Sequence, residues 1–339
     1  MRLGNGHEAT AARKGAKLSL FGFVLLSLCC SAAAQQPTRV SRIGYLDGGF
    51  ASTNAARING FRQGLRDLGY IEGKNIIIEY RHSEGRRDRM AELSAELVRL
   101  KVDVIVAGGG GAAIDAAKQA TKTIPIVMPM AIDPVEQGFV TSLARPGGNV
   151  TGLATLAPEI SGKQLDILRE IVPKLSHVGV LDTSTNSANA RLLKEVELAA
   201  QALHLKIQYL DVKTPVDFES AFRAAGNGHA EAMLVLTGPI VNAQRKEIAD
   251  LAAKKRLPAI FPFPEYVEAG GLMSYGASVS DSYRRAATYV DKILEGAKPI
   301  DLPVEQPAKF EFIVNLKAAK QIDLMIPLKV LARADRVSK

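Results

Sequence analysis

Tryptophan is absent from the 339-residue chain, aromatic residues make up only 6%, and there are two cysteines. Both cysteines, Cys29 and Cys30, lie near the N-terminus, so from Gln35 onward the sequence has no thiol for a disulfide, a nucleophile or a zinc ligand. Also missing are a Gly-x-Ser-x-Gly elbow, a Gly-Lys-Ser/Thr phosphate loop and a His-Glu-x-x-His helix. The sequence therefore predicts no catalytic residue, no metal site and no cofactor of the common kinds.

A strongly one-sided charge pattern is missing as well. The formal net charge of +8 and the pI near 9.4 raise the question of nucleic acid. However, the basic residues are scattered among acids and form no stripe with interleaved aromatic residues. Apolar residues make up 47% of the chain, which is enough for the cores of about two ordinary domains. We expect a globular protein without a nucleic-acid partner.

The N-terminus has the three parts of a secretory signal peptide. Basic residues up to Lys17 precede an apolar run, Leu18–Cys30, and an Ala-x-Ala exit follows at Ala32–Ala34. The apolar run is too short to span a bilayer, which takes about 20 residues. We expect residues 1–34 to be a cleaved signal peptide and the mature protein to lie in the periplasm; a retained anchor is the alternative.

Beyond this segment, strand-like and helix-like patterns alternate. Short apolar runs such as Arg42–Leu46 and Asp103–Ala107 are separated by helical repeats, for example Ile58, Phe61 and Leu65 at spacings of three and four. Continuous apolar strands with intervening helices indicate parallel sheets that are covered on both faces. The cycle restarts at His177–Leu181, so the sequence predicts an α/β protein with two Rossmann-like, doubly wound lobes.

The C-terminal part is too short for a third domain. A strand at Leu272–Ser278, a helix at Ser282–Glu295 and a strand at Lys309–Val314 follow the second cycle. The chain is therefore expected to return to the first lobe and then to the second, crossing three times. This interpretation assigns 40–156 plus 272–300 to an N-terminal lobe and 157–271 plus 301–330 to a C-terminal lobe. The expected hinges are near Leu156–Ala157, Gly271–Leu272 and Pro299–Asp301.

Ligands of parallel sheets bind beyond the carboxyl ends of the strands, where helix N-termini present unpaired N–H groups. The loops that follow the predicted strands supply the candidate ligand-binding residues, of which the four glycines Gly108–Gly111 are the most conspicuous. The candidates are Phe50, Ser52, Asn54, Gly109, Gly110, Ala112, Asp133, Asn186, Thr237, Tyr266 and Tyr275.

Each candidate has a structural alternative. The glycines could simply form the tight strand-to-helix turn, and Asp133 could be a turn residue before Pro134 instead of the partner of a ligand cation. Asn186 could cap a helix, and Tyr266 could pack in the core instead of stacking on a solute.

One enzymatic interpretation also survives. Gly108-x-Gly110-x-x-Ala113 follows a strand and opens a helix, and Asp133 stands at the end of the next strand. This is the layout of a dinucleotide fingerprint, in which the acid binds the ribose, so the alternative is an exported dinucleotide-dependent oxidoreductase. Its weakness is that the glycines follow the third predicted strand, whereas the fingerprint follows the first.

Several strings in a fixed order carry a family resemblance. They include Phe61–Tyr70 (FRQGLRDLGY), Leu143–Gly152 (LARPGGNVTG), Glu268–Gly276 (EAGGLMSYG) and Leu302–Pro307 (LPVEQP). From Arg42 to about Arg336 the chain resembles ABC-transporter substrate-binding proteins of the type I periplasmic class, in the tryptophan-binding, TrpX-like branch.

The resemblance implies two Rossmann-like lobes joined by a three-strand hinge, which close on a small solute. It also implies delivery to an ABC permease and its ATPase subunit, by a protein expected to be monomeric. The loops indicate a small anionic or zwitterionic solute and leave an aromatic one open. Two departures from the family count against a hydroxyl side chain that binds the solute and against an amino acid specifically. Ala112 stands where the family usually has a hydroxyl residue, and Thr237-Gly238-Pro239 replaces a loop that usually carries an acid or an amide.

Overall fold

The computed structural model describes residues 40–49, 54–155, 157–184 and 189–339. The expected signal peptide, 1–34, lies outside the described residues. No helix in the described ranges combines the length and the apolar character needed to cross a membrane. Residues Ser41–Lys339 form one compact unit that contains two sheets.

The first sheet has five parallel strands in the order β2-β1-β3-β4-β5. These strands are β1 (Ser41–Asp47), β2 (Ile76–His82), β3 (Val104–Gly108), β4 (Ile126–Ile132) and β5 (Val150–Thr155). Their residues are mostly buried and apolar, as a sheet covered on both faces requires. The sequence prediction of a parallel, doubly wound first lobe is confirmed.

Helices cover both faces of this sheet. On one face, α1 (Ala55–Asp67) packs with a helix from the far end of the chain, α10 (Val279–Leu294), around Phe61 and Tyr283. On the other face, α2 (Arg89–Arg99) and α3 (Gly111–Ala120) cover Leu46 and Ile105. The helices α1 and α10 approach closely because α1 has glycines at positions 60 and 64 that face the backbone of α10.

The second sheet has seven strands in the order β12-β11-β10-β9-β8-β6-β7, parallel except where β10 meets β11. They are β6 (His177–Asp182), β7 (Lys206–Asp211), β8 (Ala232–Val235), β9 (Ala259–Phe261), β10 (Met273–Ala277), β11 (Phe310–Asn315) and β12 (Arg336–Ser338). The helices of this lobe are α4 (Ala157–Ile171), α5 (Asn189–Ala202), α6 (Asp217–Asn227), α7 (Pro239–Ala243), α8 (Arg245–Lys254), α9 (Pro264–Glu268), α11 (Leu316–Gln321) and α12 (Leu328–Leu331).

The C-terminal crossings differ from the sequence expectation. The strand Met273–Ala277, expected in the first lobe, is hydrogen-bonded to β9 and β11 of the second sheet. The chain returns to the first lobe only after it, with α10, and leaves again between Glu305, which pairs with β5, and Phe310. The chain therefore passes between the lobes after β5, between β10 and α10, and between Glu305 and β11, and the second lobe extends to β12.

The two lobes share a detail at the end of their first strands. In the first lobe, buried Asp47 ends β1 and its Oδ1 accepts a hydrogen bond of 2.6 Å from Asn54 Nδ2. In the second lobe, Asp182 ends β6 and its Oδ1 accepts one from Asn189 Nδ2. Each asparagine stands seven residues after its aspartate, at the start of the following helix. Burial raises the pKa of Asp182, although the bond from Asn189 opposes the shift.

Candidate functional site

The carboxyl ends of strands from both sheets border one cavity of about 210 Å³. From the first lobe come the loops after β1 and β3, with Gly48 and Gly109–Ala112, and from the second come Leu236–Gly238 after β8 and Phe263 after β9. Cavities for drug-sized ligands hold about 300–1,000 Å³, so this one suits a metabolite-sized solute.

The cavity wall is largely apolar. Side chains of β4 and of helices from both lobes line it, among them Met90, Met130, Ile132, Ile160, Leu192 and Ile240. Polar contributions come from Gln137, Gln164 and Thr237 and from the glycine loop. Gln164 is held in place, because its Nε2 donates a hydrogen bond of 2.7 Å to the carbonyl of Tyr275.

The glycine loop shapes one end of the cavity. Gly109 and Gly110 have φ values of +77° and +115°, a backbone conformation that L side chains rarely adopt. The Gly109 N–H donates a hydrogen bond of 3.2 Å to the hydroxyl of Tyr283, which burial gives a pKa of about 12. Beyond this turn, the first N–H groups of α3 belong to the donors that a helix start leaves unpaired, and they favour an anion.

Arg57 is the cleft cation that sequence reasoning missed. It lies in the first turn of α1, lines the cavity, and its guanidinium lies 5.7 Å from the centre of the Phe263 ring of the second lobe. Burial lowers the pKa of Arg57, but Tyr283, Asp47 and Glu265 outweigh that effect and raise it, so the side chain is charged. Its Nε is buried and has no hydrogen-bond partner among the described residues.

A second cavity of about 50 Å³ adjoins the first and shares Arg57, Phe263 and Asn242 with it. It is also lined by Glu265 and Tyr266 of α9 and by Arg245 of α8. Among the described residues that line either cavity, Glu265 is the one carboxylate. Its Oε2 is buried and has no hydrogen-bond partner within the described part of the chain.

Of the predicted ligand-binding residues, five line the larger cavity: Gly109, Gly110, Ala112, Thr237 and Tyr275. Asn54 and Tyr266 line the smaller one. The predictions for Phe50, Ser52 and Asn186 concern residues outside the described ranges. For the residues in the cavity walls, contact with a ligand stays a prediction.

Four of these side chains already have partners. Thr237 Oγ1 accepts a hydrogen bond of 3.2 Å from Asn242 Nδ2. Asn54 is bonded to Asp47. The Tyr266 hydroxyl donates a hydrogen bond of 2.8 Å to Asn242 Oδ1, and its ring stacks on Phe261 at 4.8 Å. Tyr266 is thus a core residue as much as a wall residue, whereas the ring of Tyr275 stacks on Phe310 at 6.3 Å from within the cavity wall.

Asp133 has a different partner from the ligand cation that the sequence predicted. It lies outside the lining of both cavities and forms an ion pair with Arg191 of α5, across the two lobes. Arg191 also approaches Glu136, at 3.7 Å. Asp133 has a φ of +40° and accepts a hydrogen bond of 3.2 Å from the Glu136 N–H, so its alternative role as a turn residue is also present. The ion pair leaves Asp133 poorly placed for the ribose that the oxidoreductase alternative requires.

Across the described residues, no group of three or more His, Cys, Asp or Glu side chains is placed to hold a metal ion. The charged groups that line the two cavities are Arg57, Arg87, Arg245 and Glu265, and helix-start amides and apolar walls complete the lining.

Comparison with known proteins identifies the relatives. The family model for "ABC transporter substrate binding protein" matches residues 51–338. A tyrosine-binding protein of Clostridioides difficile is 27% identical over 266 residues, which cover 78% of this chain and 76% of the relative.

Solved structures with the same fold cover most of the chain. A conserved domain protein of Vibrio cholerae is 28% identical, with a TM-score of 0.83 over 88% of this chain and 100% of that chain. An ABC domain from Streptococcus pneumonia in complex with L-Trp is 24% identical, with a TM-score of 0.81 over 88% of this chain and 99% of that chain. These likenesses agree with two α/β lobes of the type I periplasmic binding protein fold.

Proposed function

Because the chain belongs to the family of ABC transporter substrate-binding proteins, we propose that it is the periplasmic solute-binding component of an ABC importer. The observation that carries the proposal is one cavity lined by strand ends of both lobes. The sequence of residues 1–34, which has the pattern of a signal peptide, supports export.

We infer that the solute is an amino acid or a related small carboxylate. Arg57 and the first N–H groups of α3 offer a carboxylate a cation and a helix end. The apolar walls around Met130, Ile160 and Leu192 suit an apolar or aromatic side chain. The relative from Clostridioides difficile is a tyrosine-binding protein, which supports the same class.

The proposed mechanism is closure of the two lobes around the solute. A ligand shifts an open–closed equilibrium only through its differential affinity for the two states, so it must touch both lobes in the closed state. The ion pair between Asp133 and Arg191 and the approach of Arg57 to Phe263 are contacts between the lobes that opening would break. The connections after β5, between β10 and α10, and between Glu305 and β11 are the places where the backbone would bend.

The proposed partners are an ABC permease and its ATPase subunit. The permease would read closure through the outer rims of both lobes, because closure brings these rims into a fixed spacing. We propose that the binding protein acts as a monomer, since one chain supplies both walls of the cavity.

A thermal-shift screen tests the proposal. The purified protein is heated with each of the L-amino acids, with aromatic acids and with sugars. We expect an L-amino acid or a related carboxylate to raise the melting temperature, because a ligand at 100 times its Kd stabilises the folded state by about 2.7 kcal/mol. Small-angle scattering with and without that ligand should show a smaller radius of gyration when it is bound. No shift with any solute, and no change in scattering, would refute the proposal.

A further inference from the structure

Two unpartnered polar atoms of opposite charge border the same small cavity from different lobes. Arg57 Nε belongs to the first turn of α1 in the first lobe, and Glu265 Oε2 belongs to α9 in the second. Both atoms are buried, and no salt bridge joins the two side chains. A buried donor or acceptor without a partner is costly, so such a pair points to a ligand that satisfies both.

We propose that Arg57 and Glu265 form a head-group site for a zwitterion, with Arg57 binding the α-carboxylate and Glu265 the α-ammonium of an α-amino acid. The inference rests on the proposed function and adds the residues that recognise the two charges. The side chain of the amino acid then lies in the larger, apolar cavity, which shares Arg57 and Phe263 with the smaller one.

The other charged groups nearby do not compete for these roles. Asp47 is fully buried, and its Oδ1 accepts hydrogen bonds from the Gly49 N–H and from Asn54. Its Oδ2 has no hydrogen-bond partner among the described residues, but Asp47 lines neither cavity and is therefore not placed to bind a solute there. Arg245 lines the small cavity, but its Nη1 donates a hydrogen bond of 3.1 Å to the Asn242 carbonyl. Arg87 lines only the larger cavity, so Arg57 is the cation shared by both cavities, and Glu265 is the carboxylate that lines the smaller one with it.

The arrangement gives the zwitterion a role in closure. Because Arg57 and Glu265 belong to different lobes, an amino acid with both charges bridges the lobes, whereas an amine or an acid satisfies one lobe alone. We therefore expect discrimination against ligands that lack either charge, as sites with buried polar groups generally show.

Calorimetric titration with matched ligands tests the assignment. The ligands are L-tyrosine, tyramine and 3-(4-hydroxyphenyl)propionate, together with L-leucine, 3-methylbutylamine and 4-methylpentanoate. With the unmodified protein, loss of either charge from the better amino acid should weaken binding at least about tenfold, since a charged hydrogen bond is lost. If neither amino acid binds, or if an acid or amine binds as tightly as its parent, the assignment is wrong.

Variants of Arg57 and Glu265 identify which of the two residues binds which charged group of the ligand. Glu265→Gln should weaken binding of the amino acid at least about tenfold. The same variant should bind the deaminated acid as tightly as the unmodified protein does, or more tightly, because that acid has no ammonium. Arg57→Gln should weaken binding of the amino acid and of the deaminated acid by similar factors and leave the Kd of the amine unchanged. Glu268→Gln, on the same helix but paired with Arg336 at 3.2 Å, is the control and should change nothing.

The outcomes separate this assignment from the proposed function. If Glu265→Gln weakens the amino acid and its deaminated acid equally, or neither, Glu265 does not bind the ammonium and the inference fails. Tight binding of an amino acid by the unmodified protein would still support the proposed function in that case. If a variant does not fold, as seen from its unliganded melting curve, the ligand series on the unmodified protein decides.

Discussion

The ion pair between Asp133 and Arg191 joins the two lobes outside the cavity, so we expect it to stabilise the closed form without touching the ligand. The perturbation is Asp133→Asn. Asparagine tolerates the φ of +40° at this position and keeps an oxygen that can accept the hydrogen bond from the Glu136 N–H. The substitution therefore removes the charge and spares the turn.

The expected magnitude is small. The Asp133 side chain is 16% exposed and that of Arg191 is 42% exposed, so water screens the pair. Pairs of this kind contribute about 0.2–1 kcal/mol, which corresponds to about 1.4-fold to 5-fold in Kd if the unliganded protein is mostly open. The effect of Asp133→Asn on the Kd should lie at the low end of this range, because Arg191 remains close to Glu136. Arg191→Gln should fall at the high end.

The assay is calorimetric titration of the best ligand from the screen, at low salt and at about 1 M salt. At about 1 M the Debye length is near 3 Å, so the difference between the unmodified protein and Asp133→Asn should shrink. The double variant tests the partner, since Asp133→Asn should cost less when Arg191 is already Gln. Asp88→Asn is the matched control, because its ion pair with Arg86 at 2.7 Å lies within one lobe.

Two results would refute this reasoning. A loss of binding greater than about 100-fold in Asp133→Asn exceeds what a partly exposed ion pair contributes and would return Asp133 to the ligand contact that the sequence predicts. An equal loss with and without Arg191 would show that the partner is a different group.

Three further predictions concern packing, pH and the cleft cation. Gly64→Ala should lower the free energy of unfolding by about 1–3 kcal/mol, because the added Cβ would collide with the backbone of α10. Gly162→Ala is the control: its Cβ would meet its nearest neighbour at 3.5 Å, so the substitution should raise the free energy of unfolding by about 0.5–1 kcal/mol. Urea titrations measure both changes. Burial raises the pKa of Asp182, so the contribution of this group to stability is full below the ordinary value of 3.8 and is lost as the pH rises through the higher folded pKa. Asp182→Asn should therefore flatten that part of the plot of melting temperature against pH. An unchanged plot would contradict this prediction. Phe263→Leu removes the ring 5.7 Å from Arg57 and should weaken binding of a carboxylate ligand about 2-fold to 30-fold, the range for cation–π contacts of about 0.5–2 kcal/mol between exposed and desolvated sites. An unaltered Kd would show that the ring does not position the guanidinium.

The sequence predicts the fold well where local patterns decide it. Apolar runs and helical spacings locate the strands of both lobes, and β1 differs from its predicted range by one residue at each end. The strand Met273–Ala277 was misplaced because an apolar strand suits either sheet equally. Its hydrogen bonds to β9 and β11 decide the assignment, and these are contacts between distant segments that composition does not encode.

The candidate site, like the fold, can be predicted from the sequence only where a local pattern marks it. The glycine loop is found because it follows a strand and opens a helix, and it lines the cavity. Arg57 was missed because a single arginine in a helix usually faces solvent. A signal was nevertheless present, since a basic residue in the first turn of a helix opposes the helix dipole and calls for a compensating reason. Glu265 gave no such signal, because an acid in the first turn of a helix is favourable.

The acidic residues near the cavities differ in whether they already have a partner within the protein. Asp47 and Asp182 end the first strands of the two lobes and are bonded to asparagines seven residues later, so each joins the end of its strand to the start of the following helix. Asp133 is paired across the lobes with Arg191. Within the described cavity linings, these pairings leave Glu265 as the carboxylate without a partner, opposite a charged Arg57. A solute with one positive and one negative group satisfies both at once.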